Sequence, residues 1–378
     1  MKKLLSITMI LALSAMAFAC NKNSRDTCGA RKGGGMYYPI HTLRIIFAGD
    51  LMQHRGQIDA ARNADGTYSY DETFRYVKEK IGSADIAIAN FETTLGGKPY
   101  RGYPCFSAPD EFLKAVVDAG FNVLVTANNH CLDSGQKGLE RTIDMMDKMG
   151  VPHLGTYKNM AERDRNYPLL VERKGIRVVL LNFTYGTNGL KAKAPNVVNY
   201  MDTTEIARDI EKAKKMKPDI LIAIPHWGVE YSLQPSQQQR DIAEWLLGKG
   251  VDHVVGSHPH VLQPMELRDG RNGANVVAYS LGNYVSNMAR TNTDGGAMLQ
   301  MDLWMRGGVV VLDGCGYMLV WVSRPAISGH KNFRIYPANT PDSMLNSKER
   351  AKRGIFRRNM KALFGKYNKG IGEVSSKP

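Results

Sequence analysis

Short apolar runs recur along the chain, and each ends in polar residues. The segments "LRIIFAGD" (43–50), "ADIAIANFE" (84–92) and "FNVLVTANNH" (121–130) read as buried strands. Helical periodicity separates them. "DETFRYVKEKIGS" has Asp71 placed to cap, with Phe74 and Val77 on one face. "PDEFLKAVVDAG" opens near Pro109 and closes at Gly120, and "GLERTIDMMDKMG" closes at Gly150. "VPHLG" is short and extended. Strand and helix in alternation predict an α/β sheet with parallel pairs.

The middle of the chain changes style. "LLVERKGIRVVLLNFTYG" reads as two strands turning at Lys174-Gly175. An amphipathic helix follows in "TTEIARDIEKAKKMK", capped by Thr203 or Thr204. "DILIAIPHWG" and "VDHVVGSHPH" read as strands around the helix "SQQQRDIAEWLLGKG". "NVVAYSLGN" and "GAMLQMDLWMRGGVVVLDG" then add strands without intervening helices. This mixed order predicts two sheets packed face to face with helices outside. No linker or repeat interrupts it, so residues 41–340 read as one domain.

The N-terminus stands apart. "MKKLLSITMILALSAMAFAC" has a basic start, a short apolar run and small residues before Cys20. Residues 1–19 read as a secretory signal peptide. "AFAC" resembles a bacterial lipobox with Cys20 as the lipidated residue; plain cleavage after Ala19 is the alternative. Residues 20–40 are polar and Gly-rich and read as a tether. No acidic export run follows Cys20, which favours an exported lipoprotein facing the periplasm.

Charge adds a hint about partners. The formal net charge is +14 and stays strongly positive once Lys2 and Lys3 are discounted. Such a balance suits phosphates, carboxylate polymers and membrane surfaces. Much of it sits in a basic C-terminal tail, 341–378, where Ile355, Met360, Leu363 and Phe364 suggest an amphipathic helix. That helix either packs on the domain or presents a basic patch. Nucleic acid is not expected behind a signal peptide. Of five cysteines, none forms a CxxC pair, which argues against structural zinc. Cys105 and Cys131, both in loops, are a candidate disulfide; buried thiols are the alternative.

Candidate chemistry lies at the strand ends. Asp50 follows "IIFAG", Glu92 follows "IAIANF", and Asn129 and His130 follow "VLVTAN". His226 follows "ILIAIP", His258 and His260 follow "HVVGS", and Asn283 follows "VVAYSLG". Ligands of α/β sheets collect outside the carboxyl ends of strands, so these scattered positions can converge. Carboxylates, an amide oxygen and imidazoles are ligands for Mn, Zn or Fe. In "SHPH", His258 and His260 share one cavity only if the backbone turns at Pro259.

The motifs "FAGDLM", "ANFETTL", "VTANNHCLDSG", "IPHWGVEY", "VVGSHPHVLQPME" and "YSLGNYV" resemble the capsule-biosynthesis CapA family. That family is associated with poly-γ-glutamate synthesis and belongs to the calcineurin-like metallophosphoesterase superfamily. The resemblance covers roughly 43–285 and implies a four-layer α/β/β/α sandwich, metallo-dependent phosphatase-like, with one or two divalent metals. It further implies Asp50 as a first-metal ligand, Glu92 as the bridging carboxylate, and Asn129, His226 and His258 on the second metal. His260 would return to the first metal, and His130 would face the scissile bond as the catalytic residue. The superfamily's Asp-x-His is missing, because Met52 holds that position and only His54 is near.

Around these ligands, Asp133 is placed to fix His130 or to cap the next helix, and Glu230 to bind substrate amine or orient His226. Tyr231 stands beside them, and packing is the expected role of Trp227. The expected function is metal-assisted hydrolysis or transfer on an anionic polymer or phosphorylated substrate, within an envelope synthesis complex and with a lipid anchor to the membrane. The rival is a non-catalytic module that binds, exports or anchors an anionic polymer.

Overall fold

The computed structural model describes residues 41–374 apart from Asn272. The signal, the tether and Cys20 lie outside the described residues. Two mixed sheets form the centre. In the first, the strand His41–Leu51 lies between Ile86–Phe91, parallel to it, and Gly295–Arg306, antiparallel to it. Val123–Val125 and His153–Leu154 extend the parallel side, while Val309–Ser323 and Arg334–Pro337 extend the other. In the second sheet, Ile176–Thr184, Ile220–His226, His253–Val255 and Gly273–Ala278 run parallel. Leu169–Arg173 and Met265–Gly270 flank them antiparallel.

The alternation of side chains along each strand builds the layers. Ile45, Phe47, Ile88 and Val125 share one buried cluster with Val178, Leu180, Ile222 and Val254 of the second sheet. Ile46, Ala48, Ala87 and Ala89 turn the other way, onto Phe74, Val77, Phe112 and Val116 of the helical layer. Ile206 and Ile210 of the helix Thr203–Lys215, with Ala243 and Leu246 of Gln237–Gly248, join the core cluster of the second sheet. The result is the expected four-layer α/β/β/α arrangement.

Lys174 and Gly175 both adopt positive φ (51° and 75°), the geometry of a two-residue hairpin turn, as the sequence predicted. Other local expectations shift. Asp202, not Thr203 or Thr204, caps its helix by accepting from the backbone N–H groups of Thr204 and Glu205. The C-terminal basic segment forms the helix Ser347–Tyr367, which packs through Phe356, Met360, Leu363 and Phe364. Ile355 is exposed. Phe356, Met360, Leu363 and Phe364 follow i, i+4, i+7, i+8, and Ile355 stands one residue, about 100°, off that stripe.

Candidate metal centre

The site forms where the parallel strands end. Asp50 is in register with Asn90 on one side and Asn283 on the other, so three polar side chains meet at one edge of the first sheet. Glu92 follows one residue after the strand Ile86–Phe91, and its N–H donates to the Leu51 carbonyl. Asn129 and His130 lie in the turn after Val123–Val125. From the second sheet, His226 is the last residue of its strand and bridges to Ser257, two residues past His253–Val255.

The "SHPH" turn bends as the shared cavity required. His258 and His260 both take positive φ, 103° and 57°, which non-glycine residues rarely adopt. Their ring centroids lie 5.8 Å apart, and those of His226 and His258 4.8 Å apart. His260 Nδ1 sits 3.1 Å from both Asp50 Oδ2 and Asn283 Oδ1. His226 Nε2 is 2.8 Å from Asn129 Oδ1 and 3.6 Å from Glu92 Oε1. Two buried sets of ligand atoms fall within 4.8 Å: Glu92, His226 and His258, and Asp50, Glu92 and His260. A third, open to solvent, joins Glu230 to His258 and His260.

Burial dominates the electrostatics of the cluster. Glu92 is fully buried, and burial followed by the neighbouring Asp50 drives its carboxyl well above the ordinary range. Burial, then His258 and His260, holds His226 well below the ordinary imidazole value. His258 is pushed down to about 3, first by burial and then by His260. Neutral imidazole is the form that ligates metal. Glu92 Oε1 and His258 Nδ1 are buried without any hydrogen-bond partner. Buried polar atoms are ordinarily paired, so these two orphans, aimed at one cluster, fit a divalent ion.

His130 is held differently. Its Nδ1 lies 2.8 Å from Asp133 Oδ2, which also accepts the Phe106 N–H at 2.7 Å. The Phe106 ring meets His130 edge-on at 4.6 Å. Asp133 therefore orients His130 and does not cap the helix Gly135–Lys148, whose N-cap is Ser134. His54 lies on the other edge of Phe106 at 5.2 Å, and its Nδ1 faces Gln57 Oε1 and the Asn287 N–H. Burial, then His260 and His130, lowers it to about 4 against the pull of Gln57. His54 belongs to none of the three ligand sets among the described residues. Trp227 is buried and donates to the Tyr279 carbonyl, a packing position. Cys105 is exposed and Cys131 buried, and both are free thiols, which corrects the candidate disulfide.

Several residues escaped the sequence reading. Asn90 Nδ2 donates to Asp50 Oδ1 at 2.8 Å and to Glu92 Oε2 at 3.2 Å. Its Oδ1 accepts from Asn128 Nδ2 at 3.1 Å, and Asn128 Oδ1 accepts the His130 N–H. Tyr185 packs on His258 with centroids 4.5 Å apart, and Asn188 accepts from Asn129 Nδ2. Asn90 lies inside the run that marks Glu92, one residue before Phe91, and reads from sequence as an ordinary strand residue.

Residues 44–288 match the family described as bacterial capsule synthesis protein PGA_cap. The chain belongs to that family. The capsule biosynthesis protein CapA of Bacillus anthracis is 30% identical over 314 residues, 80% of this chain and 74% of that protein. The PGA biosynthesis protein CapA of Bacillus subtilis (strain 168) is 30% identical over 277 residues, 71% of this chain and 70% of that protein. Of solved structures, calcineurin-like phosphoesterase YfkN from Bacillus subtilis aligns with a TM-score of 0.45 at 15% identity, covering 85% of this chain and 98% of that one. The PGA_cap match contains every strand-end residue named above, from Asp50 to Asn283. No described helix is long and apolar enough to cross a membrane.

Proposed function

We propose that the protein is a metal-dependent hydrolase or transferase of the cell envelope, acting on an anionic substrate in the synthesis of a capsule or poly-γ-glutamate-type polymer. The observation that carries this reading is the pair of buried, unpartnered ligand atoms, Glu92 Oε1 and His258 Nδ1, inside a cluster of imidazoles and carboxyl groups. Asp50, Glu92, Asn129, His226, His258 and His260 would hold one or two ions of Mn, Zn or Fe. Such an ion, when bound, supplies Lewis-acid polarisation and a water acidified toward neutral pH. The chain's own residues do the rest. Asp133 fixes the ring of His130, which donates a proton to the leaving group or a hydrogen bond to the developing oxyanion. Tyr185 covers His258 and limits water at that side. Asn283 and Asp50 hold His260 from one nitrogen, leaving the other to point into the site.

The exported, Cys20-anchored, periplasm-facing placement is part of the same proposal, as is membership of an envelope synthesis complex. Cys20→Ser is expected to move the protein out of the membrane fraction; a variant still recovered there removes the lipid anchor from the account. One observation favours the rival, a module that binds or exports an anionic polymer: fully buried Met52 stands where the superfamily places a ligating histidine. Turnover of phosphoesters and of poly-γ-glutamate, with the metal loaded and chelated, separates the two. Metal-dependent product formation supports the enzyme. Polymer retention without turnover in either state supports the module.

A further inference from the structure

The two buried ligand sets are each three residues deep and share Glu92. The Asp50 set draws two carboxylates and one imidazole, and transition metals take four or more donors. Residue 52 adds no oxygen or nitrogen side-chain donor: Met52 is buried, its N–H donates to the Val285 carbonyl, and its carbonyl accepts from Gln53 and Gln57. The third set lies on the open side. It takes His258 from one buried set and His260 from the other, and adds the exposed Glu230, all with ligand atoms within 4.8 Å.

The backbone around Glu230 is held in place. Tyr231 takes φ 66° and donates its N–H to the Pro259 carbonyl at 2.8 Å, between the two histidines. Tyr231, His258 and His260 are thus three non-glycine residues at positive φ joined by one hydrogen bond. Backbone strain of this kind costs about 1–3 kcal/mol per residue and persists where the surrounding structure over-determines it. On the outer side, the Arg290 guanidinium lies 4.5 Å over the Tyr231 ring. Two strained turns are therefore locked together at the spot that brings the Glu230 carboxylate to His258 and His260.

We infer that Glu230 is itself a metal ligand, closing the centre from the solvent side and supplying the donor that position 52 lacks. The inference rests on the metal-centre reading above. It differs from a substrate-ammonium role for Glu230, which would leave metal affinity alone.

The test is calorimetric titration of the chelated full-length protein with Mn(II) and Zn(II), alongside the visible spectrum of the Co(II)-loaded form. Glu230 is exposed, so Glu230→Gln is expected to fold as wild type. It is expected to weaken binding of one equivalent at least about tenfold, since even outer contacts of a metal site are worth about 10–100-fold. The Co(II) absorption is expected to change with it. Glu230→Asp, which keeps the charge but withdraws the carboxylate, is expected to lose most of the same affinity. Wild-type affinity and spectrum in Glu230→Gln would overturn the inference while leaving the metal centre standing, and so would full retention in Glu230→Asp. A wild-type protein that binds no metal would overturn both.

Discussion

Asn90→Ala is the substitution that most sharply probes how the site is held together. The amide is buried, and its Nδ2 donates to both Asp50 Oδ1 and Glu92 Oε2, while its Oδ1 ties the pair to Asn128. Hydrogen bonds to charged groups are worth roughly 1.5–3 kcal/mol each. Burial and Asp50 keep the Glu92 carboxyl neutral in the metal-free protein, so its 3.2 Å bond counts as a neutral one, about 1 kcal/mol. Losing both bonds should therefore destabilise the metal-free protein by about 3 kcal/mol. In the loaded protein the cation takes over part of that work. The residual effect is on carboxylate placement, expected to weaken metal binding about 10–100-fold. Urea unfolding of the chelated protein reads the first number, and competition with a chelator of known affinity reads the second. Stability within about 0.5 kcal/mol of wild type, together with affinity within twofold, would refute the view that Asn90 holds the two carboxylates in register.

Two further outcomes are expected. His130→Ala should leave metal stoichiometry intact while turnover falls by about 10²–10⁴-fold, the usual share of a positioned acid or base; loss of metal in that variant would make His130 a ligand instead. His253 is buried in its strand and accepts the Val276 N–H through Nδ1, and burial pushes it from 6.5 down to about 3. The unfolded chain then binds a proton that the native state refuses. His253 therefore stabilises fully above pH 6.5, and this is lost as the pH falls from there toward 3, by about 1.4 kcal/mol per unit. His253→Gln should flatten that slope, read from urea unfolding of wild type and variant at pH 7 and 5.5; parallel pH profiles would contradict it.

The layered fold was legible because its cause is local. Strands buried on both faces must be continuous apolar runs, and the polar residue that ends each run marks the carboxyl edge of the sheet. Asp50, Glu92, Asn129, His226, His258 and His260 could therefore be gathered from distant segments, and the structure brings them within reach of one another. What remained illegible depends on where single side chains point. Asn90 looked like a strand residue until its register against Asp50 was known. Glu230 lies in a loop whose path is set by the strained Tyr231 backbone, and sequence spacing does not encode that path. Ile355 and Phe356 are equally apolar, and the choice between them follows from the stripe through Met360, Leu363 and Phe364, which Phe356 continues and Ile355 does not. Cys105 and Cys131 share a loop character, but one is exposed and the other buried.

A metal centre built on the "SHPH" turn of this PGA_cap chain should disappear with its two histidines. Elemental analysis of purified wild type and of the His258→Ala, His260→Ala double variant, each equilibrated with Mn(II) or Zn(II) and then desalted, tests it most directly. Wild type should retain one or two equivalents, and a double variant that still folds by circular dichroism should retain none. Equal metal in both proteins, or none in either, would contradict it.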